Sequence, residues 1–467
     1  MKITVVDNQI EKDIDVEEKT SVLDVLKQHN IFFNGSLCNG NGTCGKCKML
    51  INGDEQLACQ TEVEDEMRVE IPVMDTVQIM TDYTSSLMST DGATGYGIAV
   101  DIGTTTVAVQ LVDLSRGLVV ETSGLLNLQA TYGSDVITRI ISASTSLPKL
   151  NSIIHKQIDD MVDALLVRND VLYSQIERFT VTGNTAMCYM YKNVNPYPLS
   201  VYPFKLTEGF DEFIGNTYIP PVISAYVGAD ITCGLLACGF DRSMDNVLLI
   251  DVGTNGEMAL GNCQDITCCS TAAGPAFEGS EIDCGMIGAA GAINRVYLED
   301  DDICFSTIGD IPAKGICGSG LIDAVAVLLQ LGIIDKTGRM VQEKYYFTDD
   351  VYISQKDIRK VQVAKSAIAS GIEVLTSKSD KQISEVLLAG GFGSYINVES
   401  ACAIGMLPQE FLPITRQVGN TALKGAAMLL CDCSYINNVR FLKQKAHYIE
   451  LSNDRQFNEL YINNMSF

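Results

Sequence analysis

Residues 96–114 read YGIAVDIGTTTVAVQLVDL: a buried-looking apolar run, an Asp-x-Gly-Thr turn, and a second apolar run. The arrangement returns at residues 246–261 as NVLLIDVGTNGEMALG. Short apolar runs on either side of a Gly/Thr turn predict strand, turn and strand. Their recurrence predicts a duplicated pair of lobes. Near the end of the chain, SEVLLAGGFGSYIN (384–397) is another apolar strand running into a Gly-rich turn. Segments such as IRKVQVAKSAIASGIEVL (358–375) fill the gaps with helical spacing.

The three turns together suggest a nucleotide site. A carboxylate at the end of a buried strand, Asp101 or Asp251, suits Mg²⁺, directly or through water. Backbone N–H groups and side chains of Gly103, Thr104, Thr105 and Thr106, and of Gly253, Thr254 and Asn255, can clamp phosphate oxygens from opposite sides. The turn at Gly390, Gly391, Phe392 and Gly393 lets the backbone lie flat against an adenosine. A single Asp-x-Gly-Thr also makes an ordinary hairpin turn, so the combination carries the reading. No GxxxxGK[ST] stretch is present, which excludes a P-loop. In GICGSGLID, Gly318, Ser319 and Gly320 either contact ribose or phosphate or simply start a helix.

The stretch CNGNGTCGKC (38–47), with Cys59 beyond it, spaces four cysteines as C-x5-C-x2-C-x11-C. A zinc ribbon normally uses two C-x2-C knuckles, and here there is one. The lopsided set Cys38, Cys44, Cys47 and Cys59 is closer to a plant-type ferredoxin loop around a [2Fe-2S] cluster, though its first gap is one residue longer. Structural zinc and plain buried thiols remain the alternatives. The other twelve of the 16 cysteines read as small buried apolar side chains.

Around this loop, residues 1–75 form a small domain. KITVVD and EKDIDVE alternate as a hairpin, SVLDVLKQHN is a helix capped by Ser21, and CKMLING and MRVEIP are further strands. Residues 76–95, rich in Ser, Thr, Asp and Gly, read as a flexible linker. Residues 96–467 hold the two lobes, the second from about residue 245. At 467 residues the chain exceeds a single core, and 46 % apolar content is ordinary for a globular protein. A net charge of −25 argues against nucleic acid or an anionic membrane as partner. With no long apolar run and no leader, the sequence points to the cytoplasm, and the cysteines suit a reducing, anaerobic one.

Taken in order, VDIGTTT, VGADITCGLLACG, IDVGTNGE, LLAGGFGS and VGNTALKGAAML resemble the five nucleotide-site elements of the acetate and sugar kinase, Hsp70 and actin superfamily. The fold this implies is α/β. It combines an N-terminal β-grasp ferredoxin-like domain with a two-lobed, ribonuclease H-like ATPase domain. In that superfamily the first connecting helix often carries the residue that orients an attacking water or hydroxyl, and here that residue is Asp230. Helix capping is its plainer role.

An iron–sulfur domain joined to this core resembles the reductive activators of corrinoid proteins. Further matches are LNLQATYGSDVITRI, VTGNTAMCYM, STAAGPAFEG and VQVAKSAIASGI. The resemblance implies ATP-dependent reduction of Co(II) to Co(I) for methyl transfer, with a [2Fe-2S] cluster, ATP and Mg²⁺ as cofactors. Its partners would be a corrinoid protein and a low-potential electron donor, in a chain that forms a homodimer. Two departures stand out: Cys188-Tyr189 follows GNTAM where relatives carry histidine, and the separate middle domain of longer members is missing. Rival readings are an activator of a radical dehydratase or aromatic-ring reductase, a small-molecule kinase, and a nucleotide-switched redox sensor without turnover.

Overall fold

The computed structural model describes residues 1–7, 10–16, 19–29, 31, 47–71, 88–279, 281–378 and 382–467. The N-terminal unit comprises β1 (Lys2–Asp7), β2 (Ile10–Asp15), α1 (Val22–Gln28), β3 (Lys48–Ile51), β4 (Asp54–Leu57) and β5 (Met67–Glu70). The strands form one sheet in the order β2-β1-β5-β3-β4, with β1 and β5 parallel. Ser21 caps α1 by accepting the Asp24 amide at 3.1 Å, and Val22, Leu23, Val25 and Leu26 bury one helix face against the sheet. This is the expected grasp of a helix by a small sheet; β4 is the strand that composition did not signal. Cys38 and Cys44 lie outside the described residues.

The first lobe contains β6 (Tyr96–Ile102), β7 (Thr106–Asp113), β8 (Leu118–Leu126), α2 (Val136–Arg168), β9 (Ile176–Gly183), α3 (Thr185–Tyr191), β10 (Glu212–Ile214) and β11 (Thr217–Ile219). Helix α4 (Ala229–Ala237) leads to the second lobe, which opens with β12 (Asn246–Val252), β13 (Gly256–Gly261) and β14 (Ile266–Thr271). An insertion follows: β15 (Ala292–Glu299), β16 (Asp302–Thr307), β17 (Gly315–Ile316), α5 (Gly318–Gln330), β18 (Lys344–Tyr346), β19 (Tyr352–Ser354) and α6 (Gln355–Ser377). The lobe closes with β20 (Ile383–Ala389), α7 (Val398–Ala403), β21 (Thr415–Gly419), α8 (Thr421–Cys431), α9 (Tyr435–Lys445), β22 (Ala446–Tyr448) and α10 (Arg455–Asn463).

The two large sheets share one plan. In the first the order is β10-β11-β9-β6-β7-β8, and in the second β21-β20-β12-β13-β14-β22. In each, an antiparallel three-strand meander lies beside a parallel strand, with the Asp-bearing strand at the centre. The duplication suggested by the two Asp-x-Gly-Thr hairpins is therefore a duplication of sheets.

Between the sheets, α4 and α8 cross at close quarters. A Cβ at Gly425 would fall 2.1 Å from the Cys233 carbonyl oxygen, so only glycine permits that approach. Leu235, Leu236, Leu423, Ala426 and Leu430 from these helices share one core with Ala99 of β6 and Leu249 of β12. The lobes thus share a common apolar layer.

The linker expectation needs correction at its C-terminal end. Residues 88–95 are bound to the ATPase core: the Met88 amide donates to Gly117 O at 3.0 Å and the Asp91 amide to Cys431 O at 3.0 Å. Asp91 also pairs with Arg178 through two hydrogen bonds of 2.8 and 2.9 Å. That pairing holds the Asp91 carboxyl well below the usual range. Ser and Asp side chains that looked like solvated linker are spent on anchoring. No described helix is long and apolar enough to cross a membrane.

Candidate functional site

A cavity of about 400 Å³ opens where the two central strands end. Of the nucleotide-site residues named from the sequence, Asp101, Gly103, Thr104, Thr105, Thr106, Asp230, Asp251, Gly253, Thr254, Asn255, Gly318, Ser319, Gly390, Gly391 and Phe392 line it, while Gly320 and Gly393 stand behind the wall. The geometry follows from register. Asp101 and Asp251 occupy the penultimate positions of β6 and β12, each following a run of buried residues. Period-2 alternation points both carboxylates into the space between the lobes.

Each strand then turns tightly. Gly103 N–H donates to Thr106 O at 2.8 Å and Gly253 N–H to Asn255 O at 2.9 Å, leaving the intervening threonines at the cavity wall. The third turn packs directly on the second strand: Gly390 has φ of 92°, and a Cβ there would stand 2.5 Å from Asp251 Oδ1. Helices α4, α5 and α8 each begin at the cavity, through Asp230, Gly318 and Ser319, and the cap Asn420. Three helix N-termini at one cavity favour an anionic ligand there.

The carboxylates are all pushed upward. Burial raises Asp101 to about 6, against which the Asn420 amide, donating to Oδ2 at 2.7 Å, works in the opposite direction. Burial raises Asp251 to about 7, with Asp101 adding repulsion. Asp230 is raised furthest of the three, to about 8, by burial and by the nearby Asp101 and Asp251 charges. Among the described residues no group of three or more His, Cys, Asp or Glu is gathered tightly enough to hold a metal ion alone. A cation here would therefore share its coordination with phosphate oxygens or water.

Several cavity residues were not picked out from the sequence. Glu257 enters because it pairs in register with Asp251 across β12 and β13, so both side chains share a face. Burial pushes Glu257 well above the usual range too. Asn184 and Asn420 sit in twin GNTA tetrapeptides, 183–186 and 419–422. Each caps a helix, Asn184 accepting from the Met187 amide at 3.1 Å and Asn420 from the Leu423 amide at 2.8 Å. Each also reaches into the first lobe's turn region: Asn184 donates to Thr104 Oγ1 at 2.9 Å, Asn420 to Asp101. The repeated tetrapeptide was the available signal. Phe277, stacked on Phe392 at 5.3 Å and 9°, and Glu278 belong to the stretch STAAGPAFEG, which the sequence marked without assigning a role.

In the N-terminal unit the Cys47 and Cys59 sulfurs lie 3.2 Å apart. Cys47 is buried at the head of β3 and Cys59 follows β4, so the β3–β4 hairpin itself brings the C-x11-C pair together. Cys188 is fully buried in α3, its thiol pushed up by burial.

Comparison with known proteins agrees with both halves. A family model described as a 2Fe-2S iron-sulfur cluster binding domain matches residues 7–87. One described as the RACo middle region matches 96–243, and one described as the C-terminal domain of RACo, the ASKHA domain, matches 245–467. The match described as the middle region coincides with the first lobe. The chain is 34 % identical over 419 residues to the corrinoid activation enzyme RamQ of Eubacterium limosum, covering 80 % of this chain and 70 % of that protein. It is 27 % identical over 425 residues to a Co(II) methylated amine-specific corrinoid protein reductase of Methanosarcina barkeri, covering 80 % and 77 %. A solved structure titled reductive activator for corrinoid, iron-sulfur protein superposes with a TM-score of 0.74 at 28 % identity, over 100 % of this chain and 98 % of that one.

Proposed function

Because this chain belongs to the family of reductive activators of corrinoid proteins, we propose that it passes an electron to a corrinoid protein, returning inactive Co(II) to Co(I) for methyl transfer, at the expense of ATP. The observation that carries the reading is the union in one chain of a 2Fe-2S domain with a cleft lined by both Asp-x-Gly-Thr turns. The rival activators of dehydratases usually lack such an N-terminal domain.

The cysteines fit the cluster. Two thiols 3.2 Å apart at the β3–β4 hairpin are a convergent pair of soft donors, and Cys38 and Cys44, close by in sequence, would complete the set of four. When bound, the [2Fe-2S] cluster supplies a one-electron couple, near about −400 mV for plant-type clusters. The Co(II)/Co(I) couple lies lower still, and each ~59 mV of deficit costs a factor of ten. A low-potential donor recharges the domain, in a reducing cytoplasm.

In the cleft, the loop N–H groups and hydroxyls of 103–106 and 253–255 bind phosphate, and the 390–392 turn receives the adenosine. Asp101 and Asp251 would hold Mg²⁺ together with phosphate oxygens, neutralising their own charge and that of the nucleotide. Asp230, in the first turn of α4 and at the cavity wall, is placed to take a proton from an attacking water. Nucleotide can shift the lobes, and with them the grip on the corrinoid protein, only by its differential affinity for the two arrangements. The shared α4–α8 layer is where that shift is transmitted.

The test is anaerobic. Pre-reduced protein is mixed with a Co(II) corrinoid protein from the same organism, and the Co(I) absorbance band is followed with and without Mg-ATP. Co(I) should form only with Mg-ATP, and D230N should bind nucleotide yet fail to drive the step. Full Co(I) yield without nucleotide would sink the reading.

A further inference from the structure

Glu278 has no part in the scheme above, yet it sits at the point where the two phosphate loops meet. It ends a 3-10 turn, Pro275–Glu278, between Gly274 and Gly279, whose φ angles are 76° and 74°. A Cβ at Gly279 would lie 2.2 Å from Met286 O, so the turn is pinned from behind. The Glu278 carboxylate accepts from Thr105 at 2.6 Å and from Thr254 at 2.9 and 3.0 Å. The two hydroxyl oxygens are themselves 3.1 Å apart. Thr105 belongs to the first lobe and Thr254 to the second, so one carboxylate ties the lobes together through equivalent threonines.

Each hydroxyl carries a single proton. A threonine that donates to Glu278 cannot at the same moment donate to a phosphate oxygen. Burial pushes the Glu278 carboxyl up and the two threonine hydroxyls hold it down; in its ionised form it and a phosphate at hydrogen-bond range repel one another. The turn that carries Glu278 also carries Phe277, stacked on Phe392 of the adenosine turn. Phe277 O is 1.8 Å from where a Cβ of Gly318 would stand, so the same turn abuts the start of α5. The turn that carries Glu278 thus also borders the aromatic pair and the helix start that line the rest of the cavity.

Resting on the nucleotide reading, we infer that Glu278 is a latch that clasps Thr105 to Thr254 in the position of a phosphate group, and that a nucleotide's terminal phosphate must displace it. The latch sets the affinity for the triphosphate and couples its arrival to the segment 274–279. It is a positioning residue, acting on the threonines that touch the ligand.

The experiment is calorimetric titration of the full chain with a non-hydrolysable ATP analogue plus Mg²⁺ and, separately, with adenosine. E278Q keeps the side-chain shape and removes the charge. It should bind the analogue about tenfold more tightly or better, with adenosine affinity changed by less than about twofold. E278A, checked by circular dichroism, should change affinity in the same direction. Unchanged or weaker analogue binding in both folded variants overturns the latch, as does equal tightening for adenosine. Failure of the unaltered chain to bind the analogue overturns the nucleotide reading instead.

Discussion

Gly318→Ala and Gly391→Ala are the same chemical change at two positions of one cavity, and the structure assigns them opposite outcomes. A Cβ on Gly318 would stand 1.8 Å from Phe277 O and 2.3 Å from Phe392 Cε2. A Cβ on Gly391 would meet nothing within 4 Å. Neither glycine has a positive φ, so backbone strain does not confuse the comparison. At Gly318 the new methyl faces a backbone carbonyl that cannot swing away and a ring that can. Phe392 leaves its stack on Phe277, at a loss of about 0.5–1.5 kcal/mol. The residual crowding at the carbonyl adds about 1–3 kcal/mol. If about 2 kcal/mol of the total falls on the ligand-bound state, affinity for Mg-ATP drops roughly 30-fold. G391A should stay within about twofold of the unaltered chain, since an added methyl in open space costs little. The assay is binding of a fluorescent ATP analogue, alongside thermal melting. G318A binding like the unaltered chain, or G391A losing as much as G318A, would refute the packing argument.

Other outcomes follow from the remaining geometry. C59A should lower iron below about two atoms per chain and abolish Co(I) formation, because a [2Fe-2S] cluster needs all four ligands; iron assay and visible absorbance check it, with ATP-analogue binding unchanged. The nucleotide-free protein should lose stability as pH rises. Asp101, Asp251 and Asp230, raised to about 6, 7 and 8, keep protons in the folded chain that the unfolded chain releases near 4. Their stabilisation is present at low pH and fades as pH climbs through those values, at about 1.4 kcal/mol per unit for each group still protonated only when folded. Melting temperature should fall between about pH 5.5 and pH 8, and D230N should flatten the slope; a flat or rising curve for the unaltered chain contradicts it. Arg178→Met removes the ion pair that anchors residues 88–95, whose side chains are 20 % and 27 % exposed. It should cost about 1 kcal/mol and admit limited proteolysis between residues 88 and 95 at protease levels that leave the unaltered chain uncut.

Much of this protein was written locally. Alternating and continuous apolar runs, Asp-x-Gly-Thr turns and clustered cysteines are contacts between near neighbours in the chain, so β6–β7, β12–β13, the α1 cap and the C-x11-C pair could be read from spacing alone. The order of the five nucleotide-site elements also gave the two-lobed plan. What spacing could not supply were partners set by folding. Glu257 is a cavity residue only because register pairs it with Asp251. Asn184 and Asn420 are ordinary helix caps until the fold lays them beside Thr104 and Asp101. Glu278 is an unremarked acid until Thr105 arrives from 173 residues away. Residues 88–95 have the composition of a linker, and only the pairing of Asp91 with Arg178, 87 residues on, makes them part of the core. Sequence determines which short segments can form strands, turns and ligand sets, because those depend on neighbouring backbone. Which side chains are buried together, and hence which carboxylates are raised and which hydroxyls are shared, is decided only when the two lobes close on one apolar layer.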